Sequence, residues 1–129
     1  MALPKESFQL QGLRGATTTH SNNSESIETS VTELVQELVK RNGLKPEQII
    51  SITFSVTADL NACFPAAIAR QQPGWENVAL IDCQQMHVAG DLKQCIRILA
   101  LVLLPIDQKP QHTYLGAAIS LRPDRSANN

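Results

Sequence analysis

The sequence predicts an α+β domain, a mixed sheet of about five strands packed on one long helix plus short helical turns. Three observations carry this. Residues 27–39 hold apolar side chains at the 3.6-residue helical period. Several shorter stretches show the two-residue alternation, or the continuous aliphatic run, of strands. The 129 residues, 43% of them hydrophobic, suit one domain with a real core rather than a disordered chain.

The first element is a strand over Leu10–Thr19, small and β-branched, ending in a threonine-rich turn. The clearest helix follows. Ile27, Val31, Leu34, Val35, Leu38 and Val39 form one face. Asn22 or Ser24 caps its start, and Glu25 and Glu28 sit where the helix dipole favours anions. Lys40 and Arg41 occupy its last turn and Gly43 stops it. Glu33 and Glu37 read as a solvated face.

Pro46 opens a short helical turn through Ile50. Ser51–Thr57 then alternates, with Ile52, Phe54 and Val56 on one side and hydroxyl residues on the other. Phe64-Pro65 begins a second short helix that runs to about Gln72. Three strands complete the set: Val78–Ile81, Gln94–Leu104 and Tyr114–Leu121, the last stopped by Pro123. Together they make one domain over residues 1–129. Its ordered core spans about 10–124, followed by a polar tail over 125–129.

Eleven Lys+Arg against twelve Asp+Glu give a net charge of -1. That balance argues against a nucleic-acid or membrane-surface partner, which calls for a basic excess. The start lacks the apolar run of a signal peptide, and no stretch approaches the ~20 apolar residues of a membrane span. Cys63, Cys83 and Cys95 form no CxxC pair and no disulfide framework, so a reducing, cytoplasmic setting is expected. Cys63 and Cys95 read as small buried hydrophobes. His20, His87 and His112 lack metal-site spacing and read as surface or structural residues, so no metal is expected.

Two residues stand out. Arg97 interrupts Cys95-Ile96-Arg97-Ile98-Leu99, and alternation puts it on one face with Cys95, Leu99 and Leu101. Arg14 lies in the small-residue strand Gly12-Leu13-Arg14-Gly15-Ala16. A guanidinium keeps its charge and needs a partner. On spacing alone each reads either as a structural ion pair or as a bidentate grip on a carboxylate or phosphate.

These blocks carry a resemblance. The chain is similar to the monofunctional chorismate mutases of the trimeric, non-helical class, from about Leu10 to Asp124. The matching segments are Gly12–Thr18, Thr57–Leu60 with Phe64-Pro65-Ala66, Gly74-Trp75, Gly90–Lys93, Cys95–Arg97, His112–Leu115 and Leu121–Asp124. The resemblance implies a homotrimer forming a pseudo-α/β barrel, with sites in clefts between subunits. It implies a cofactor-free rearrangement of chorismate to prephenate, on the route to phenylalanine and tyrosine. By that resemblance Arg97 is the cation on the substrate's ether oxygen. Arg14 and Tyr114 hold the side-chain carboxylate. Phe64, Ala66 and Leu121 wall the pocket, the first two from a neighbouring subunit, and Arg70 and Arg122 lie at its mouth.

The departures sit in Ile81-Asp82-Cys83-Gln84-Gln85, a segment expected to touch substrate. Gln85 falls on a family glutamate that binds the ring hydroxyl and helps fix the catalytic arginine; it accepts a hydrogen bond but brings no charge. Asp82 falls on a cysteine position and is read as a replacement source of that charge, while a local gap would bring Cys83 there instead. Ala67 falls where some members carry a lysine. Two competing readings are a trimeric imine-deaminase-like enzyme and a mutase-like binder without turnover.

Overall fold

The structure, a computed structural model, describes residues 8–122. Its strands are β1 (Phe8–Thr18), β2 (Ile49–Val56), β3 (Ala79–Gln84), β4 (Cys95–Pro105) and β5 (Thr113–Tyr114). Its helices are α1 (Ser24–Asn42) and α2 (Pro65–Ala69), with 3-10 turns at Pro46–Gln48 and Gly116–Leu121. The five strands form one mixed sheet in the order β3-β2-β4-β1-β5. β4 lies antiparallel to both β1 and β2, whereas β2–β3 and β1–β5 are parallel.

The helical period of α1 dictates its packing. Ile27, Val31, Leu34, Val35 and Leu38 are all buried against one face of the sheet. Leu13, Ile52, Phe54, Ile96, Ile98, Ala100, Val102 and Leu104 meet them. Fully burying one such aliphatic side chain contributes about 1.5–3 kcal/mol, so this layer supplies most of the core. The helix cap is Asn23, whose side chain accepts the Ser26 N–H at 2.8 Å. Neither expected cap serves. Asn22 instead accepts the backbone N–H groups of Asn61 and Ala62, tying the helix start to the β2–α2 loop. Gly43 ends the helix as expected, returning its N–H to the last turn.

Other boundaries shift. The turn after Pro46 is one 3-10 turn, and Ile49 and Ile50 already belong to β2. The second short helix stops at Ala69 rather than near Gln72. The strand expected over Tyr114–Leu121 is two residues long. Gly116 adopts φ +56°, a left-handed conformation that leaves the strand, and the chain curls into the 3-10 turn. The stop at Pro123 and the 125–129 tail lie outside the described residues.

Among the described residues, no layer covers most of the sheet face away from α1. Leu10, Leu99, Leu101 and Ile81 stand on it at 36–59% exposure. Among the described residues no helix is long and apolar enough to cross a membrane.

Candidate active site

Strand register builds a row across the open face. Cys83 on β3 pairs with Ser55 on β2, Ser55 with Arg97 on β4, Arg97 with Ala16 on β1, and Ala16 with Tyr114 on β5. Arg14 lies two residues from Ala16, opposite Leu99. Side chains at i and i+2 share a face, so the two arginines emerge together. A cavity of about 440 Å³ opens here, lined by Arg14, Ala16, Thr53, Ser55, Arg97, Leu99, Tyr114, Leu121 and Arg122. The hydroxyl face of β2 forms its floor, and the 3-10 turn forms its far wall.

Two devices hold this end of the sheet. Gly15 allows β5 to approach: a Cβ there would stand 2.6 Å from the Thr113 carbonyl oxygen. The second device starts at the end of α1. Buried Asn42 accepts the Gln111 N–H and donates to the Gln111 carbonyl, both at 2.9 Å. That places His112, whose Nδ1 accepts the Arg14 backbone N–H at 2.9 Å. The imidazole therefore acts as a structural acceptor behind Arg14, within the structural role expected of it.

Arg97 is half-buried. Its Nη2 donates to Asp91 Oδ2 at 3.4 Å, and its buried Nε–H has no acceptor among the described residues. A buried donor left unpaired costs about 1–3 kcal/mol. Gln85 sits beside the row: its Oε1 accepts the Ser55 hydroxyl at 2.7 Å, and its backbone N–H reaches Val56 O.

The remaining expected residues gather elsewhere. Phe64, Ala66, Ala67, Arg70, Ile81 and Asp82 line a separate depression of about 330 Å³ between α2 and β3. Phe64 is 70% exposed there. Asp82 pairs in register with Phe54, which faces α1. Its Oδ1 accepts the Ala66 N–H at 2.9 Å. Burial lifts the Asp82 carboxyl above its ordinary value, with the Ala66 N–H and Arg70 opposing. Within one chain Asp82 therefore does not pair with Arg97; among the described residues the carboxylate paired with it is Asp91. Cys83 shares the register row with Ser55 and Arg97, while Gln84 ends β3 as an exposed residue.

Sequence reasoning passed over Asp91 as a partner of Arg97, because it lies in a turn whose path sequence does not disclose. His112 behind Arg14 was equally hidden, being 98 residues away. Of the cysteines, Cys95 is buried as expected, Cys63 is half-buried, and burial raises both thiols. Neither is an activated nucleophile.

The chain is similar in sequence and fold to known proteins. The chorismate mutase type I family matches the chain over residues 10–125. Chorismate mutase AroH of Bacillus subtilis (strain 168) is 37% identical over 120 residues, covering 92% of this chain and 94% of its own length. Chorismate mutase AroH of Thermus thermophilus is 37% identical over 117 residues, covering 89% and 95%. A solved chorismate mutase from Clostridium thermocellum matches with a TM-score of 0.79 and 38% identity, over 85% of this chain and 98% of that one.

Proposed function

The chain belongs to the chorismate mutase type I family and is an isomerase of aromatic amino acid biosynthesis, and we propose that it works at the Arg97 cavity. The reaction turns chorismate into prephenate by breaking one C–O bond while one C–C bond forms. No atom leaves, so no nucleophile takes part. The enzyme must hold the folded conformer, which lowers the barrier through orientation. It must also stabilise the negative charge that grows on the ether oxygen.

The observation that carries this reading is one cavity lined jointly by Arg97, Arg14, Tyr114 and Arg122. Arg97 donates to the ether oxygen and an adjacent carboxylate. Arg14 and the Tyr114 hydroxyl hold the side-chain carboxylate, Leu121 packs on the ring, and Arg122 draws the dianion in. Gln85 accepts the ring hydroxyl through its amide oxygen, exchanging it for the Ser55 hydroxyl.

The working unit in this reading is a homotrimer, a pseudo-α/β barrel whose uncovered sheet faces meet. The exposed leucines of that face support it, since apolar patches of this kind mark contact surfaces. The depression carrying Phe64, Ala66, Arg70, Ile81 and Asp82 then serves the cavity of a neighbouring subunit, with Cys83 and Gln84 following it on β3. The setting is the cytoplasm, and chorismate is the small-molecule partner.

The test is direct. Purified protein is mixed with chorismate, and loss of its absorbance is followed together with acid conversion of the product to phenylpyruvate. Acceleration far above buffer is expected. No acceleration, with or without binding, would sink the catalytic reading.

A further inference from the structure

Arg97 must point its guanidinium accurately, yet it is a long side chain on a face with little cover. Among the described residues the ion pair it makes is with Asp91, Nη2 to Oδ2 at 3.4 Å. Gln85, the other polar group near the row, is neutral, and its oxygen is taken by Ser55 at 2.7 Å. Asp91 is itself held. Its Oδ1 accepts the Leu92 N–H at 2.8 Å, and its own N–H reaches Val88 O at 3.1 Å. One carboxylate oxygen is thus anchored to the turn and the other is aimed at Arg97. The Asp91 side chain is 25% exposed and that of Arg97 32%, so the pair is less screened than a free surface pair.

We propose that Asp91 is a positioning residue for the rearrangement, fixing the Arg97 guanidinium through Nη2 so that its remaining donors are held toward the cavity. The inference rests on Arg97 being the catalytic cation. Asp91 lines a neighbouring depression with Gln85 and Lys93 rather than the Arg97 cavity itself. It acts through Arg97 and does not touch substrate. Arginine orientation matters more to the transition state than to ground-state binding, because the charge on the ether oxygen develops only there. The loss of Asp91 therefore falls on kcat.

Asp91→Asn is nearly isosteric and keeps the acceptor for Leu92, so the turn is retained. Its kcat should fall about tenfold with KM within about threefold of wild type. Gln85 is bonded to Ser55, the register partner of Arg97, so position 85 is the place on a neighbouring strand from which a carboxylate is expected to pair with the guanidinium. Asp91→Asn/Gln85→Glu should recover most of the lost kcat. A merely structural disturbance of the turn would not be repaired by charge placed on another strand. Wild-type kcat in Asp91→Asn would overturn the proposal, as would a loss that Gln85→Glu leaves untouched. A readout independent of turnover separates this from the catalytic reading. The Arg97 Nε–H resonance of nitrogen-15-labelled protein, assigned by its disappearance in Arg97→Lys, should shift in Asp91→Asn and move back in the double variant. An unshifted resonance rejects the pairing even if the enzyme is active. A shifted, restored resonance in a protein without turnover upholds the pairing while the catalytic reading fails.

Discussion

Charges on this chain are placed individually, and each site has its own energetics. Arg97 and Arg14 sit on one sheet face, where a sum of -1 over the chain conceals them. Asp82 shows the opposite case, a carboxylate whose surroundings work against its charge. Burial raises its proton affinity above the ordinary value of 3.8, and the Ala66 N–H and Arg70 only partly offset this. The folded state then holds that proton more tightly than the unfolded chain. Asp82 therefore contributes stability when protonated, and the contribution is lost as pH rises through the window just above 3.8. Asp82→Asn keeps the acceptor for Ala66 and removes the titration. Thermal melts from about pH 4 to about pH 6 should show wild type losing stability relative to Asp82→Asn as pH rises; parallel curves would contradict this. Arg97 and Arg14 were legible because a charge in an aliphatic strand is conspicuous. Asp91 and His112 were not, because turn paths and contacts across 98 residues decide what they touch.

The elements explain why the cavity exists where it does. α1 and the buried alternation of β2 and β4 were legible from period alone, since one face of each must leave water. β5 is shorter than its sequence predicts. Its apolar residues after Tyr114 look strand-like, but Gly116 takes a left-handed backbone and turns Leu121 back over the sheet. The difference matters chemically, because the 3-10 turn walls the cavity as a continued strand would not. Register at this end depends on Gly15. In Gly15→Ala the added Cβ meets the Thr113 carbonyl at 2.6 Å and crowds Ile98 and Leu34 at 3.1 and 3.4 Å. Overpacking of this kind costs about 1–3 kcal/mol. Chemical denaturation should register that loss, and turnover should drop as Tyr114 is pushed off its row. Unchanged stability and turnover would show that β5 does not depend on the close approach.

One chain leaves two depressions apart. The arginine cavity and the Phe64–Asp82 depression share no lining residue, and the sheet face carrying Leu10, Leu99 and Leu101 lies open. Sequence analysis placed residues of both depressions in one site through family resemblance; nothing in composition or period could have joined them. Trimer formation brings the two together in the proposed assembly. Sedimentation should return a mass three times the 14.1 kDa chain, and a monomer mass at working concentration would contradict the shared site. The account turns on Arg97 stabilising charge that appears only in the transition state. Its most direct test is kcat for Arg97→Ala at saturating chorismate, in protein of unchanged mass and melting temperature. The predicted fall is on the order of 10²–10³, the usual cost of removing one preorganised donor, and a kcat within threefold of wild type would contradict the account.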